Sequence, residues 1–175
     1  EFYPLPQDGV LPVGWDQPAV AAALKPRKGC DARESTLIRD AINGSARWNA
    51  STCAVTSGRW YEAYAGTTTT DPSSLDIEHI VSMKDAWDNG AHRWNADTRL
   101  QFSHELLALG AVCRSENRSK GARGPAQWKP SNRASWRSYA QRYITIKNSY
   151  DLSLSSEAER TTLRQMLGGG APAPA

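Results

Sequence analysis

Apolar side chains recur at helical spacing in the segment from Asp31 to Ile42, where Leu37, Ile38, Ala41 and Ile42 form one stripe, and a helix is predicted there. The run VTSGRWYEAY alternates around Trp60, Tyr61 and Tyr64 and reads as β structure, closed by Gly66 and the turn TTTTDPSS. LDIEHIV, Leu75 to Val81, alternates again: Leu75, Ile77 and Val81 share one face, with Asp76 and Glu78 on the other. It is expected to be a strand with its acids on an open side. Lys84 to Trp94 and Asp97 to Leu107 read as helices, interrupted at Gly90 and recapped at Asn95. Leu109 to Val112 reads as a short buried strand leading into RSENRSKG, a helix start or turn. Asn132 to Asn148 carries a stripe of Trp136, Tyr139, Ala140, Tyr143 and Ile144 and predicts an amphipathic helix. Ser156 with Glu159 forms a capping box for a last helix that ends before Gly168.

The ends differ from this patterned centre. Residues 1–28 are read as an extended arm rich in Pro and Gly, with a short helix from Gln17 to Leu24, and residues 168–175 as a disordered Gly/Ala/Pro tail. The intervening 29–167 is long enough for one hydrophobic core. With 175 residues, mean hydropathy −0.59 and seven Trp, the chain has the composition of a globular protein. No run of eighteen apolar residues suits a membrane span.

The three cysteines lack the short paired spacing of a zinc site. Cys30 and Cys53 are expected to pair, closing a loop of roughly 24 residues worth about 3 kcal/mol. Cys113, in the run LLALGAVC, is expected to be a buried free thiol. Asn43 and Asn49 open Asn-x-Ser sequons in a polar loop, as in a glycosylated extracellular protein. From Arg114 to Arg142 eight basic residues face the single acid Glu116, although the whole chain is only +3. Such a run suits either a solvated helix face or a polyanionic partner.

Candidate chemistry gathers at two places. His79 follows Glu78 at a strand end, and Glu116 to Gly121, ENRSKG, supplies an amide oxygen and cations further along. Carboxylate, imidazole, amide and cation together suit hydrolysis of a phosphodiester. The segments CAVTSGRWYEAY, SSLDIEHIVSMKDAWDNGA and ENRSKGARGPAQWKP, with the Gly-Cys-Asp-x-Arg start at Gly29 to Arg33, resemble secreted bacterial and fungal HNH endonucleases of the ββα-metal superfamily. The resemblance runs from about Gly29 to Gly168 and implies an α+β single domain, a ββα-metal core surrounded by helices.

It also implies roles. His79 would be the general base that deprotonates water, Glu78 and Asn117 would ligate one divalent ion, and Asp76 would be a further ligand or orient a ligand water. The ion would be Mg²⁺, with Mn²⁺ or Ca²⁺ able to serve. Arg118, Lys120 and Arg123 would contact substrate phosphates. The implied enzyme is secreted, monomeric and free of membranes, and cleaves DNA without sequence preference to leave 5′ phosphates. A site gripping only phosphate and metal need not reject RNA. Two departures carry the alternative, a nucleic-acid-binding protein with an impaired nuclease site. Ala122 follows Ser-Lys-Gly where an acid is common, and FSHELLALGAV has no middle polar residue to orient His79. Asp85 is read as a helix-terminal charge, with bracing of the site as the alternative; His92 is read as a surface residue, and His104 as a satisfied or exposed helix residue, with substitution for the missing polar group as the alternative.

Overall fold

The computed structural model describes residues 29–168; the arm expected over 1–28, the short helix expected from Gln17 to Leu24 and the tail expected beyond Gly168 lie outside the described residues. Helix α1 (Ala32–Asp40) starts at Asp31, whose carboxylate accepts from Glu34 N at 2.8 Å and satisfies a first-turn donor. Its Leu37, Ile38 and the following Ala41 pack with Ala46, Trp60 and Leu75 in a minor core. The buried Trp60 indole keeps a partner there, donating to Leu37 O at 2.8 Å.

Among the described residues six short strands form three antiparallel pairs: β1 (Arg47–Trp48) with β2 (Val55–Ser57), β3 (Trp60–Glu62) with β4 (Thr67–Thr69), and β5 (Leu75–His79) with β6 (Leu109–Cys113). The last pair runs in register from Leu75 opposite Cys113 to His79 opposite Leu109. Residues 80–108 connect its strands and carry α2 (Met83–Asp88), a 3₁₀ turn (Ala91–Arg93) and α3 (Ala96–His104). Directly after β6, α4 (Arg114–Lys120) folds back onto both strands. The result is a strand–strand–helix unit with a helical insert, within a single α+β domain. Helix α5 (Trp136–Ser149) and α6 (Glu157–Met166) complete the main core, to which Tyr139, Tyr143, Ile146, Leu163 and Met166 contribute.

A lone two-stranded ribbon is only marginally stable, and its edges invite wrong pairing. Here side chains substitute for a third strand along β6. Asp40 accepts from Ala111 N at 2.9 Å, and the Leu109 carbonyl receives Arg39 at 2.7 Å and Arg142 at 3.0 Å. Arg33 holds the other strand through Leu75 O at 3.1 Å. The disulfide Cys30–Cys53 is present and ties the start of α1 to the loop before β2.

Asp85 stands in the first turn of α2, as a helix-terminal charge would, but it is not left to solvent. It is buried, pairs with Lys147 at 2.7 Å, accepts from Asn89 at 2.7 Å and contacts Tyr143 Oη. Tyr143 Oη also bonds Glu159 at 2.6 Å, so one buried polar cluster joins α2, α5 and α6. Gly124 lies hard against it. A Cβ there would stand 2.8 Å from Glu159 Oε1 and 3.2 Å from Tyr143 Oη.

Candidate functional site

Strand β5 delivers Asp76, Glu78 and His79, and α4 delivers Asn117 and Lys120. Gly121 ends α4 at φ 55°, ψ −132°, a conformation that a side chain resists, so the final glycine of ENRSKG is set by the helix stop. Asp76 is half-buried. One carboxylate oxygen accepts from Asn117 Nδ2 at 3.1 Å and the other from Arg114 Nε at 3.3 Å.

The face of β5 that carries Asp76 and Glu78, expected to be open, is closed at Glu78 and only partly open at Asp76. Glu78 is 3% exposed, because α4 and the loop after β3 cover it. Tyr64 Oη donates to Glu78 Oε1 at 2.5 Å, and Lys120 Nζ lies 3.3 Å from Oε2. That second approach is an ion pair by distance only: Oε2 is buried and has no aligned hydrogen bond among the described residues. Burial pushes the Glu78 carboxyl up, against the opposing pull of Lys120 and Tyr64, and burial together with the Glu78 charge raises the Tyr64 phenol.

Lys120 therefore differs from its expected place at the substrate. It is 1% exposed, with its ammonium held between Glu78 and the His79 carbonyl at 3.1 Å, out of reach of a phosphate. Arg118 and Arg123 are exposed; Arg123 turns back to the carbonyls of Ser119 and Lys120 at the end of α4. Cys113 is only half-buried, its Sγ 2.8 Å from Ser115 Oγ.

His79 belongs to the other side of the strand. Its ring stacks on buried Phe102 of α3, with centroids 5.9 Å apart and planes 23° apart, and Nε2 lies 3.1 Å from Ser103 O. A carbonyl only accepts, so Nε2 carries the proton and Nδ1 the lone pair. Burial lowers the His79 pKa, with Lys120 and His104 acting the same way and the Ser103 carbonyl opposing. A backbone carbonyl of the insert thus meets His79 where the sequence offers no polar side chain for it. No side-chain motif could reveal it. Nor does sequence pattern mark Tyr64, the last residue of CAVTSGRWYEAY, as a partner of Glu78. His92 and His104 are on the surface, as expected.

Asp76 and Asn117 meet directly, Glu78 meets Lys120 and Tyr64, and His79 meets α3. Among the described residues no three His, Cys, Asp or Glu side chains cluster as a metal cage, and no helix is long and apolar enough to cross a membrane. A cavity of about 570 Å³ lies between α1, β6 and α5, lined by Ile38, Ala41, Ala111 and Tyr139.

No solved structure matches this chain. A protein of the fungus Arthroderma benhamiae described as an uncharacterized secreted protein is 39% identical over 140 residues, spanning 79% of this chain and 67% of the relative. Residues 31–161, which hold the β5–β6–α4 unit, its insert and every candidate site residue, match the family model of the GmrSD restriction endonucleases, C-terminal domain. The chain belongs to that family.

Proposed function

We propose that this protein is a secreted, divalent-metal-dependent endonuclease of the HNH type that hydrolyses DNA with little sequence preference, leaving 5′ phosphates, and that also accepts RNA. The observation that carries the reading is His79 at the end of β5 with Nε2 3.1 Å from the Ser103 carbonyl, a contact that leaves Nδ1 as the lone-pair nitrogen, while burial lowers the pKa of the ring. A neutral imidazole at the end of a strand can take a proton from water. Exposed Arg118 at α4 would attract the phosphate backbone without reading bases.

The donor chemistry fits a hard ion. Asp76, Glu78 and Asn117 offer oxygen; Glu78 Oε2 is buried with no aligned hydrogen bond, its charge facing Lys120 Nζ at 3.3 Å. So few protein ligands suit Mg²⁺, which keeps several waters. Asn117 and Glu78 would hold it, with Asp76 beside Asn117 as a further donor or as the group that orients the amide. When bound, the ion supplies charge stabilisation for the leaving oxygen. Lys120 and Tyr64 fix the Glu78 carboxylate from the protein side.

Secretion is supported by the description of the fungal relative and by the disulfide. The second reading, binding without turnover, draws on the burial of Glu78 against Lys120. Of the two departures in the sequence, Ala122 still favours this reading, whereas the unoriented base is weakened by the Ser103 carbonyl.

Plasmid nicking with and without chelator tests the proposal. The wild type should nick only with free divalent ion, and His79→Ala should lose roughly 10²- to 10⁴-fold in turnover while binding DNA as before. Wild-type turnover in that variant, or nicking that ignores chelator, would refute it.

A further inference from the structure

Four large apolar side chains are exposed among the described residues: Tyr61, Met83, Trp87 and Leu100. Three of them lie on the helical insert between β5 and β6. Met83 and Trp87 stand one turn apart on the same side of α2, and Trp87 is 50% exposed. Its indole is held rather than loose. The Arg99 guanidinium lies 5.8 Å from the ring centroid and the His92 ring 6.1 Å away at 62°, while His92 Nδ1 is 2.8 Å from the Trp87 carbonyl. An exposed aromatic flanked by an arginine offers a planar surface together with a cation.

The insert is tied to the candidate site at both ends. Ser82, the cap of α2 and three residues after His79, donates to Ala122 O at 3.0 Å, next to exposed Arg123. At the far end, α3 supplies the Ser103 carbonyl that holds His79. From Met83 to Trp87 the helix rises about 6 Å, close to one nucleotide step of an extended strand.

We propose that Trp87, with Met83 and Arg99 beside it, is a stacking platform for an unpaired base next to the scissile phosphate, so that the preferred substrate is single-stranded. This inference rests on the nuclease reading above. Bases inside a duplex have no free face to offer, whereas every unpaired base does, so the platform favours single strands without selecting sequence. The arginines at Arg99 and Arg123 favour a phosphate-bearing partner over a neutral one.

The test compares wild type, Trp87→Ala and Trp87→Phe on a single-stranded deoxyoligonucleotide, on the same strand with abasic residues, and on its duplex. Trp87→Ala should raise KM on the single strand by roughly 5- to 150-fold with kcat within about twofold, and Trp87→Phe should retain most of the wild-type affinity. The difference between wild type and Trp87→Ala should vanish on the abasic strand and on the duplex. An unchanged KM in Trp87→Ala, or an equal loss on the abasic strand, overturns the platform. So does concentration-dependent self-association of the wild type that Trp87→Ala abolishes, which would assign the patch to a second copy. If the wild type cleaves DNA but Trp87→Ala matches it, only this inference fails. If the wild type neither binds nor cleaves nucleic acid, the nuclease reading fails and the platform with it.

Discussion

Lys120 and Glu78 are 1% and 2% exposed at their side chains and lie 3.3 Å apart, so each is the other's main compensation for leaving water. Removing one charge should cost more than the pair itself contributes. Lys120→Met is expected to lose about 3–5 kcal/mol of stability at neutral pH, read by urea unfolding, and adding Glu78→Gln should recover most of it. The folded state already raises the Glu78 pKa, so it binds that proton more tightly than the unfolded chain does, and the single variant should regain stability as pH falls. A Lys120→Met variant as stable as wild type at every pH would show that the pair carries no such burden. His79 has the opposite sign. Its pKa is depressed, so the neutral form favours the fold, and both stability and turnover should fall as acid protonates it. The acid limb of kcat/KM should have its midpoint below the ordinary histidine value of about 6.5. A midpoint above that value would contradict a buried base. His79, Glu78 and Asn117 could be picked out from residue type and order. The burial of Lys120 could not, because in ENRSKG it looks like its charged neighbours, and only packing of α4 against β5 separates it from Arg118.

The elements were largely readable where the signal is local. Asp31 caps α1, Asn95 caps α3 and Ser156 caps α6, each through a side-chain oxygen to a backbone N–H near the helix start. The strand ending in His79 and the short strand from Leu109 also follow from alternation and apolar content. What bound those elements together was not readable. The Arg39–Asp40 clamp on β6 and the Asp85–Tyr143–Lys147–Glu159 cluster join residues tens of positions apart, and each member looks like an ordinary polar residue in its own helix. Glu159 was legible only as a capping residue; it does bond Ser155 N at 2.7 Å, yet it is also fully buried. Gly124 makes this cluster testable. Its Cβ position meets a carboxylate oxygen that is itself held by Tyr143 and Ser155 and cannot give way easily. Gly124→Ala should therefore lower the thermal midpoint, by the equivalent of about 1–3 kcal/mol. An unchanged midpoint would mean the cluster repacks freely.

At the scale of the molecule, the basic run from Arg114 to Arg142 divides by role. Arg142 feeds the Leu107 and Leu109 carbonyls, Lys120 neutralises Glu78, Arg114 pairs with Asp76, and Lys129 and Arg133 lie over the Trp136 ring. Much of the charge that suggested a polyanion partner is thus engaged in holding the fold, and Arg118 is left as the clearest exposed cation near the site. The family places residues 31–161 among endonuclease domains. The nuclease proposed above needs oxygen donors from β5 and α4 to share one ion, with His79 reaching the same phosphate from the end of the strand. Anomalous scattering from a crystal soaked in Mn²⁺ tests this most directly. The account predicts one strong peak within about 2.0–2.6 Å of an Asn117 oxygen and of a carboxylate oxygen of Glu78 or Asp76. A fully loaded crystal with no peak between β5 and α4, from protein that nicks plasmid in the same Mn²⁺, would contradict it.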